Sequence, residues 1–236
     1  MEEIENLVKL YEARRFEAES FAAQIVTMFQ SAPTLKVSGQ IPIVHSLKSR
    51  TKDPDHLRDK LQRKIAKGRQ ITVDNLFSEI TDFAGVRVLH LYNSQFEAIH
   101  NLIMEQVNRG NYVLNEDPVA NTWDPETSKN FERLGLKTEV RDTYYTSVHY
   151  VLRPNSNPNS ICCEVQVRTL FEEIWGEIDH VINYPHPTES IACREELRVL
   201  AKLVSTGTRL VDGIINSFEE FKNIINDDSI KETMTS

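Results

Sequence analysis

Phe83-Ala84-Gly85-Val86-Arg87-Val88-Leu89-His90-Leu91 and Cys163-Glu164-Val165-Gln166-Val167-Arg168-Thr169 decide the fold class. The first run is short, apolar and β-branched without clean alternation, the pattern of a strand buried on both faces. In the second, the two-residue period of a strand puts Glu164, Gln166 and Arg168 on one face. Working outward, Thr146 to Leu152 and Ile161 to Val167 read as strands, joined by the turn formers Pro154-Asn155-Ser156-Asn157-Pro158-Asn159. Ile41 to Leu47 reads as a further strand.

Helical spacing fills the rest. Glu2 to Gln30 carries Leu7, Val8, Tyr11, Phe21 and Ile25 on one stripe, ended by the Pro33 to Gly39 stretch. Asp53-Pro54 opens a second helix, with Asp53 as N-cap and Pro54 in the first turn, and Gly68 closes it. Ser94 to Val107 and Thr169 to Tyr184 follow, the latter stopped by Pro185 and Pro187. Residues 108 to 140 are crowded with Asn, Asp and Pro and yield one short helix, Pro125 to Arg133. From about Glu189 to Ile225, residues such as Leu197, Leu200, Val204, Val211, Ile214 and Phe218 repeat at three-four spacing. That pattern is broken at Gly207, and the acidic end after Asn226 is expected to fray. Strands and helices in this irregular order predict an α/β (α+β) domain with a mixed sheet flanked by helices. The expected organisation is a helical segment over 1–39, a central domain over 40–187 and a helical extension over 188–236.

Composition narrows the function. A chain of 236 residues with 40% hydrophobic content needs no disulfide or metal to hold a core. Cys162, Cys163 and Cys193 are expected to be reduced and structural. No apolar run is long enough to span a bilayer, and the acidic start (Met1-Glu2-Glu3-Ile4-Glu5) is unlike a signal peptide, so no membrane role and a cytoplasmic location are expected. The net charge of -8 argues against broad coating of nucleic acid. Yet Ser46 to Arg69 holds nine basic residues against three acidic, a local balance of +6. Such a run is either a solvated helix face or a surface for several phosphates.

No Gly-x-x-x-x-Gly-Lys-Ser/Thr or Gly-x-Gly-x-x-Gly motif occurs, and eight glycines in all exclude a glycine-rich phosphate cradle. Phosphate handling therefore falls to side chains and metal. Asp82 precedes one decisive strand and Glu164 lies inside the other, where an unpaired carboxylate is costly. Two readings stand side by side: the pair shares a Mg2+, or each forms a buried salt bridge, Asp82 with Arg87 and Glu164 with Arg168.

Six blocks in order resemble the RelA/SpoT synthetase-domain family over roughly residues 40–185. They are Lys48-Ser49-Arg50-Thr51-Lys52, Lys60, Ile80-Thr81-Asp82-Phe83-Ala84-Gly85-Val86-Arg87-Val88, Tyr145-Thr146-Ser147-Val148-His149-Tyr150, Glu164-Val165-Gln166-Val167-Arg168-Thr169 and Trp175-Gly176-Glu177-Ile178-Asp179-His180. The resemblance implies a small stand-alone alarmone synthetase with a nucleotidyltransferase-like sheet. It implies Mg2+-dependent transfer of pyrophosphate from ATP to the 3′-hydroxyl of GDP or GTP, releasing AMP and making (p)ppGpp. By the same resemblance, Asp82 and Glu164 bind metal and, with Arg50 and Lys52, carry catalysis. Lys48, Arg50, Lys52, Lys60 and Arg87 face the ATP phosphates. Tyr145 stacks on guanine, with His149, Gln166 and Arg168 around the acceptor.

The chain departs from the family at Tyr144, where a glycine is common, at Thr146, where a basic residue is common, and at Tyr184-Pro185, where a lysine follows the tyrosine. These departures bear on the acceptor more than on the reaction. Alternatives are therefore a toxic relative acting on the 3′ end of tRNA, and an inactive nucleotide-binding module. Self-association through the terminal helices is also expected.

Overall fold

The computed structural model describes residues 2–36, 41–156, 160–184 and 186–234. Gly39, the turn residues Asn157 to Asn159 and Pro185, all singled out above, lie outside the described residues. In chain order the elements are α1 (Glu2–Ser31), β1 (Ser46–Thr51), α2 (Pro54–Ala66), α3 (Leu76–Glu79), β2 (Ala84–His90), α4 (Phe96–Asn108) and β3 (Tyr112–Thr122). They continue with α5 (Pro125–Arg133), β4 (Lys137–Val140), β5 (Ser147–Pro154), β6 (Cys163–Thr169), α6 (Leu170–Asn183) and α7 (Ile191–Met234).

The six strands form one mixed sheet in the order β1-β2-β6-β5-β3-β4. The two decisive runs, β2 and β6, are parallel neighbours at its centre, with Gly85 opposite Glu164 and Arg87 opposite Gln166. β1 runs antiparallel along β2, pairing Lys48 with Arg87 and Arg50 with Gly85. On the other side β5 runs antiparallel to β6, pairing His149 with Gln166. Lys48, Arg87, Gln166 and His149 therefore form one row across four strands, and Arg50, Gly85 and Glu164 form the adjacent row.

The opposite face of the sheet is the core. Val86, Val88, Val165, Val167, Val148 and Tyr150 are buried there in one cluster with residues of α1, α2 and α4. Helix α1 also steadies the cation-bearing strand. Tyr11 stacks on Phe83 at 4.7 Å, and its hydroxyl donates to the Lys52 carbonyl at 2.7 Å. On the functional face, α6 lies across β6 and β2 and packs on α7, where Trp175 Nε1 donates to the Leu197 carbonyl at 3.0 Å.

Three expectations change. The strand expected at Ile41 to Leu47 begins only at Ser46, so the cationic segment Lys48 to Lys52 is largely strand rather than the approach to a helix. Residues 108–140 hold two strands beside the expected helix. β3 absorbs Pro118 through register shifts between Leu114, Glu116 and Val119, and β4 is a short edge strand paired to it. Helix α7 runs unbroken past Gly207 and continues to Met234. A β-carbon at Gly207 would lie 3.0 Å from a ring carbon of Phe171, so that glycine serves the packing of α7 on α6.

No described helix is long and apolar enough to cross a membrane. The three cysteine thiols are free, and burial pushes those of Cys162 and Cys163 up.

Candidate active site

Asp53 caps α2 through bonds from the amides of Asp55 and His56, which turns the chain sharply after Lys52 and brings α2 back past β2. Leu57 and Leu61 bury the inner side of α2. Lys60 on another side of the helix reaches Asp82 Oδ1 at 2.8 Å. From β1, Lys52 Nζ donates to Asp82 Oδ2 at 2.7 Å. Burial opposes ionisation of Asp82, but the Lys60 and Lys52 charges outweigh it and hold the carboxyl below its ordinary range.

Glu164 stands on the neighbouring strand. Its Oε1 meets His149 Nδ1 at 3.2 Å, and its Oε2 accepts from Gln166 Nε2 at 2.9 Å. The other ring nitrogen of His149 meets the Tyr145 hydroxyl at 2.9 Å. With Glu164 ionised, Nδ1 of His149 is the donor in the contact with that carboxylate, so the imidazole bridges Glu164 and the Tyr145 hydroxyl. Burial pushes the Glu164 carboxyl up, the His149 contact pulls it down, and the Asp82 charge opposes; the net position is below the ordinary range. The Asp82 and Glu164 carboxylates thus feel each other while each is held ionised.

The salt bridges weighed above do not form. Asp82 pairs with Lys52 and Lys60 instead of Arg87, and Glu164 pairs with His149 instead of Arg168. Arg87 and Arg168 both turn to Glu173, on the first turns of α6. Two ionised oxygen donors, Asp82 just ahead of β2 and Glu164 on β6, with lysines beside the first to bind phosphate oxygens, fit a hard divalent cation that keeps water and phosphate ligands. No group of three or more potential metal-ligating side chains occurs among the described residues. Any cation held there takes the rest of its shell from substrate or solvent.

Beside Glu164 opens a cavity of about 360 Å³ whose lining includes Lys48, Arg50, Arg87, Glu164, Gln166 and His180 but not Asp82. Arg50 lies across Gly85, where a β-carbon would sit at ordinary contact distance, 3.5 Å from Arg50 Cγ. A cavity of about 470 Å³ between α4, α5 and α7 contains neither Asp82 nor Glu164.

The structure brings together Lys48, Arg50, Arg87, Glu164 and Gln166 at the cavity, Lys52 and Lys60 on Asp82, and Tyr145 and His149 in line with Glu164. Arg168 does not line that cavity. It is 4% exposed, clamped to Glu173, with its guanidinium 6.0 Å from the Tyr145 ring centre. Sequence reasoning missed Glu173, whose carboxylate contacts three cations, and Glu177, which pairs with Arg87 at the cavity rim. Helix spacing offered one signal, since Glu173, Gly176, Glu177 and His180 share a stripe on α6.

The loop departures acquire a geometry. Tyr144 has φ 63°, in the left-handed region that glycine occupies without strain. Thr146 is buried and its hydroxyl meets that of Thr122 at 3.1 Å, so this position points inward.

Residues 49–189, more than half of the chain, match the model of the region found in RelA / SpoT proteins. A relative in sequence is the GTP pyrophosphokinase YwaC of Bacillus subtilis, 26% identical over 153 residues, which covers 63% of this chain and 61% of that protein. The small alarmone synthetase 1 of B. subtilis has a similar fold, with TM-score 0.68 at 16% identity over 89% of this chain and 98% of that one. The same synthetase bound to its product pppGpp gives 0.65 at 17% identity, over 88% and 98% of the two chains. A GTP pyrophosphokinase family protein of Streptococcus pneumoniae gives 0.62 at 18%, over 92% and 94%. With a mixed sheet like theirs and a family match that spans both Asp82 and Glu164, the chain belongs to the RelA/SpoT family.

Proposed function

We propose that the chain transfers pyrophosphate from ATP to the 3′-hydroxyl of GDP or GTP, in the cytoplasm, releasing AMP and yielding (p)ppGpp. The observation that carries this reading is the placement of Asp82 just ahead of β2 and of Glu164 on the neighbouring β6, with Glu164 lining a cavity walled by Lys48, Arg50 and Arg87. The likeness to a synthetase crystallised with pppGpp supports the same choice of acceptor.

In this reaction the acceptor oxygen attacks the β-phosphorus of ATP and gives its proton to solvent, the bond from that phosphorus to the α-bridging oxygen breaks, and AMP leaves with the bond electrons. Such a transfer asks for positioning and charge stabilisation more than covalent help from protein. Asp82 and Glu164 would hold Mg2+, which neutralises phosphate charge when bound. Arg50, Lys48 and Arg87 grip the migrating group. Lys52 and Lys60, which pair with Asp82, would turn to phosphate oxygens once that carboxylate holds the cation. Glu164, held below the ordinary carboxylate range, is a weak base and better suited to orient the 3′-hydroxyl than to store its proton. Tyr145 offers a ring face to the base, and its hydroxyl keeps His149 turned toward Glu164.

The exposed apolar residues Val199, Leu203, Leu210, Ile214 and Phe221 on α7 support self-association through the C-terminal helix. Light scattering on the purified chain tests this, a monomer at assay concentration counting against it.

The acceptor is tested by offering GDP, GTP, ATP and deacylated tRNA separately with ATP and Mg2+, and identifying the product by chromatography. A 3′-pyrophosphorylated guanosine nucleotide is expected. Modification of tRNA alone would replace this reading with that of a translation toxin, and no product with any acceptor would leave a binding module.

A further inference from the structure

We propose that Glu173 is the positioning residue for the ATP-facing cations, a buried carboxylate that sets the direction of Lys48 and Arg87. The identity of the ligand rests on the pyrophosphotransfer reading above, while the placement rests on geometry alone.

Lys48 and Arg87 are directly opposed on β1 and β2. Like charges in such a cross-strand pair repel and, left to themselves, turn apart. Here they converge. Glu173 Oε1 accepts from Lys48 Nζ at 2.8 Å and from Arg87 Nη1 at 3.1 Å, while Oε2 pairs with Arg168. One carboxylate, 5% exposed, thus ties strands β1, β2 and β6 to helix α6. Burial opposes its ionisation, and the three cations outweigh that and keep the carboxyl below its ordinary range.

The cations are not used up by this contact. A lysine has three donors and an arginine five, so both keep N–H groups free for phosphate. With Glu177 also on Arg87, the three cations face two carboxylates and still leave one positive charge in surplus. Arg87 has a second carboxylate partner, Glu177, at 51% exposed. That rim contact is exchangeable for a phosphate oxygen, whereas the buried Glu173 contact persists and holds Nη1 of Arg87 in place.

Two local features deliver Glu173 to this point. Thr169 and Glu172 close a capping box, the threonine side chain accepting from the Glu172 amide and the Glu172 carboxylate from the Thr169 amide at 2.7 Å, so α6 starts immediately off β6. Three residues beyond Glu173 stands Gly176, where a β-carbon would lie 2.6 Å from Arg168 Nη1. The glycine leaves the space in which Arg168 reaches Glu173.

The test is binding of AMPCPP with Mg2+ by calorimetry, alongside steady-state turnover with ATP and GDP. Glu173→Gln keeps the shape and loses the charge. It is expected to weaken AMPCPP binding about tenfold and raise KM for ATP in step, with KM for GDP changed no more than about twofold. Glu173→Asp keeps the charge one methylene short and is expected to recover part of the affinity, which loss of fold stability alone would not produce. Should Glu173→Gln fail to fold, Glu173→Asp carries the comparison, with AMPCPP affinity read beside thermal stability in the same variant. AMPCPP affinity unchanged in a folded variant, with only thermal stability lowered, overturns the proposal. So does tighter binding, which would make Glu173 a competitor for the cations. Wild-type protein that fails to bind AMPCPP counts against the pyrophosphotransfer reading instead.

Discussion

Replacing Tyr144 sets two energies against each other. At φ 63° a β-carbon costs about 1–2 kcal/mol relative to glycine, of which the greater freedom of glycine in the unfolded chain takes back about 0.5–1 kcal/mol. Tyr144→Gly therefore relieves roughly 1 kcal/mol of backbone strain at best. Against this, the Tyr144 ring meets Trp123 edge-on at 5.0 Å and 61°, worth about 0.5–1.5 kcal/mol. Arg198 lies 5.7 Å from the ring centre, adding about 0.5 kcal/mol at an exposed site. The half-buried ring also shields apolar surface worth on the order of 1–2 kcal/mol. The losses come to roughly 3 kcal/mol, so Tyr144→Gly is expected to destabilise by about 2 kcal/mol. Urea unfolding at constant slope measures it, and in a Trp123→Ala background the cost should fall by about 1 kcal/mol. A midpoint that rises would mean that strain outweighs the aromatic contacts and would refute this ordering.

Three further outcomes follow from the same structure. Burial holds the His90 imidazole down at about 4 from an ordinary 6.5, so the unfolded chain binds the extra proton first. Stability should fall by about 3 kcal/mol as pH drops through that window and level off below it, and His90→Gln should flatten this part of a pH-dependent unfolding curve. Gly207→Val, pressed on Phe171, should lower stability by about 1–3 kcal/mol in thermal unfolding, whereas Gly213→Ala, with nothing within 4 Å, should raise it by about 0.5–1 kcal/mol. Tyr145→Phe keeps the ring face but frees His149 Nε2, so steady-state kinetics should show kcat lowered roughly tenfold with KM for GDP nearly unchanged.

The central strands were legible because β2 is short, mostly apolar and β-branched, and because β6 alternates Cys163, Val165 and Val167 with Glu164, Gln166 and Arg168. Helix α5 was legible through Asp124-Pro125, a cap followed by a first-turn proline. β3 was not, because Asn115, Asp117 and Pro118 read as a turn, and only the register shifts against β5 let them sit in a strand. Gly207 read as a break in a helix because its reason, the ring of Phe171, lies on another element. The candidate site divides the same way. Residue type and position in a strand pointed to Asp82 and Glu164. The partners of Arg87 and Arg168 could not be read from spacing, since a neighbour four or five residues away in a strand points off along the sheet. Their partner Glu173 acquires meaning only once register brings positions 48 and 87 together under α6.

The central claim is that two phosphates move together, so the direct measurement is the adenosine product left by a single turnover of ATP labelled in the adenine ring, with GDP and Mg2+. The account predicts AMP in equal amount to the new guanosine nucleotide, and neither product from Asp82→Ala. ADP as the adenosine product would mean transfer of a single phosphoryl group and would contradict it, as would AMP formed at an undiminished rate by Asp82→Ala.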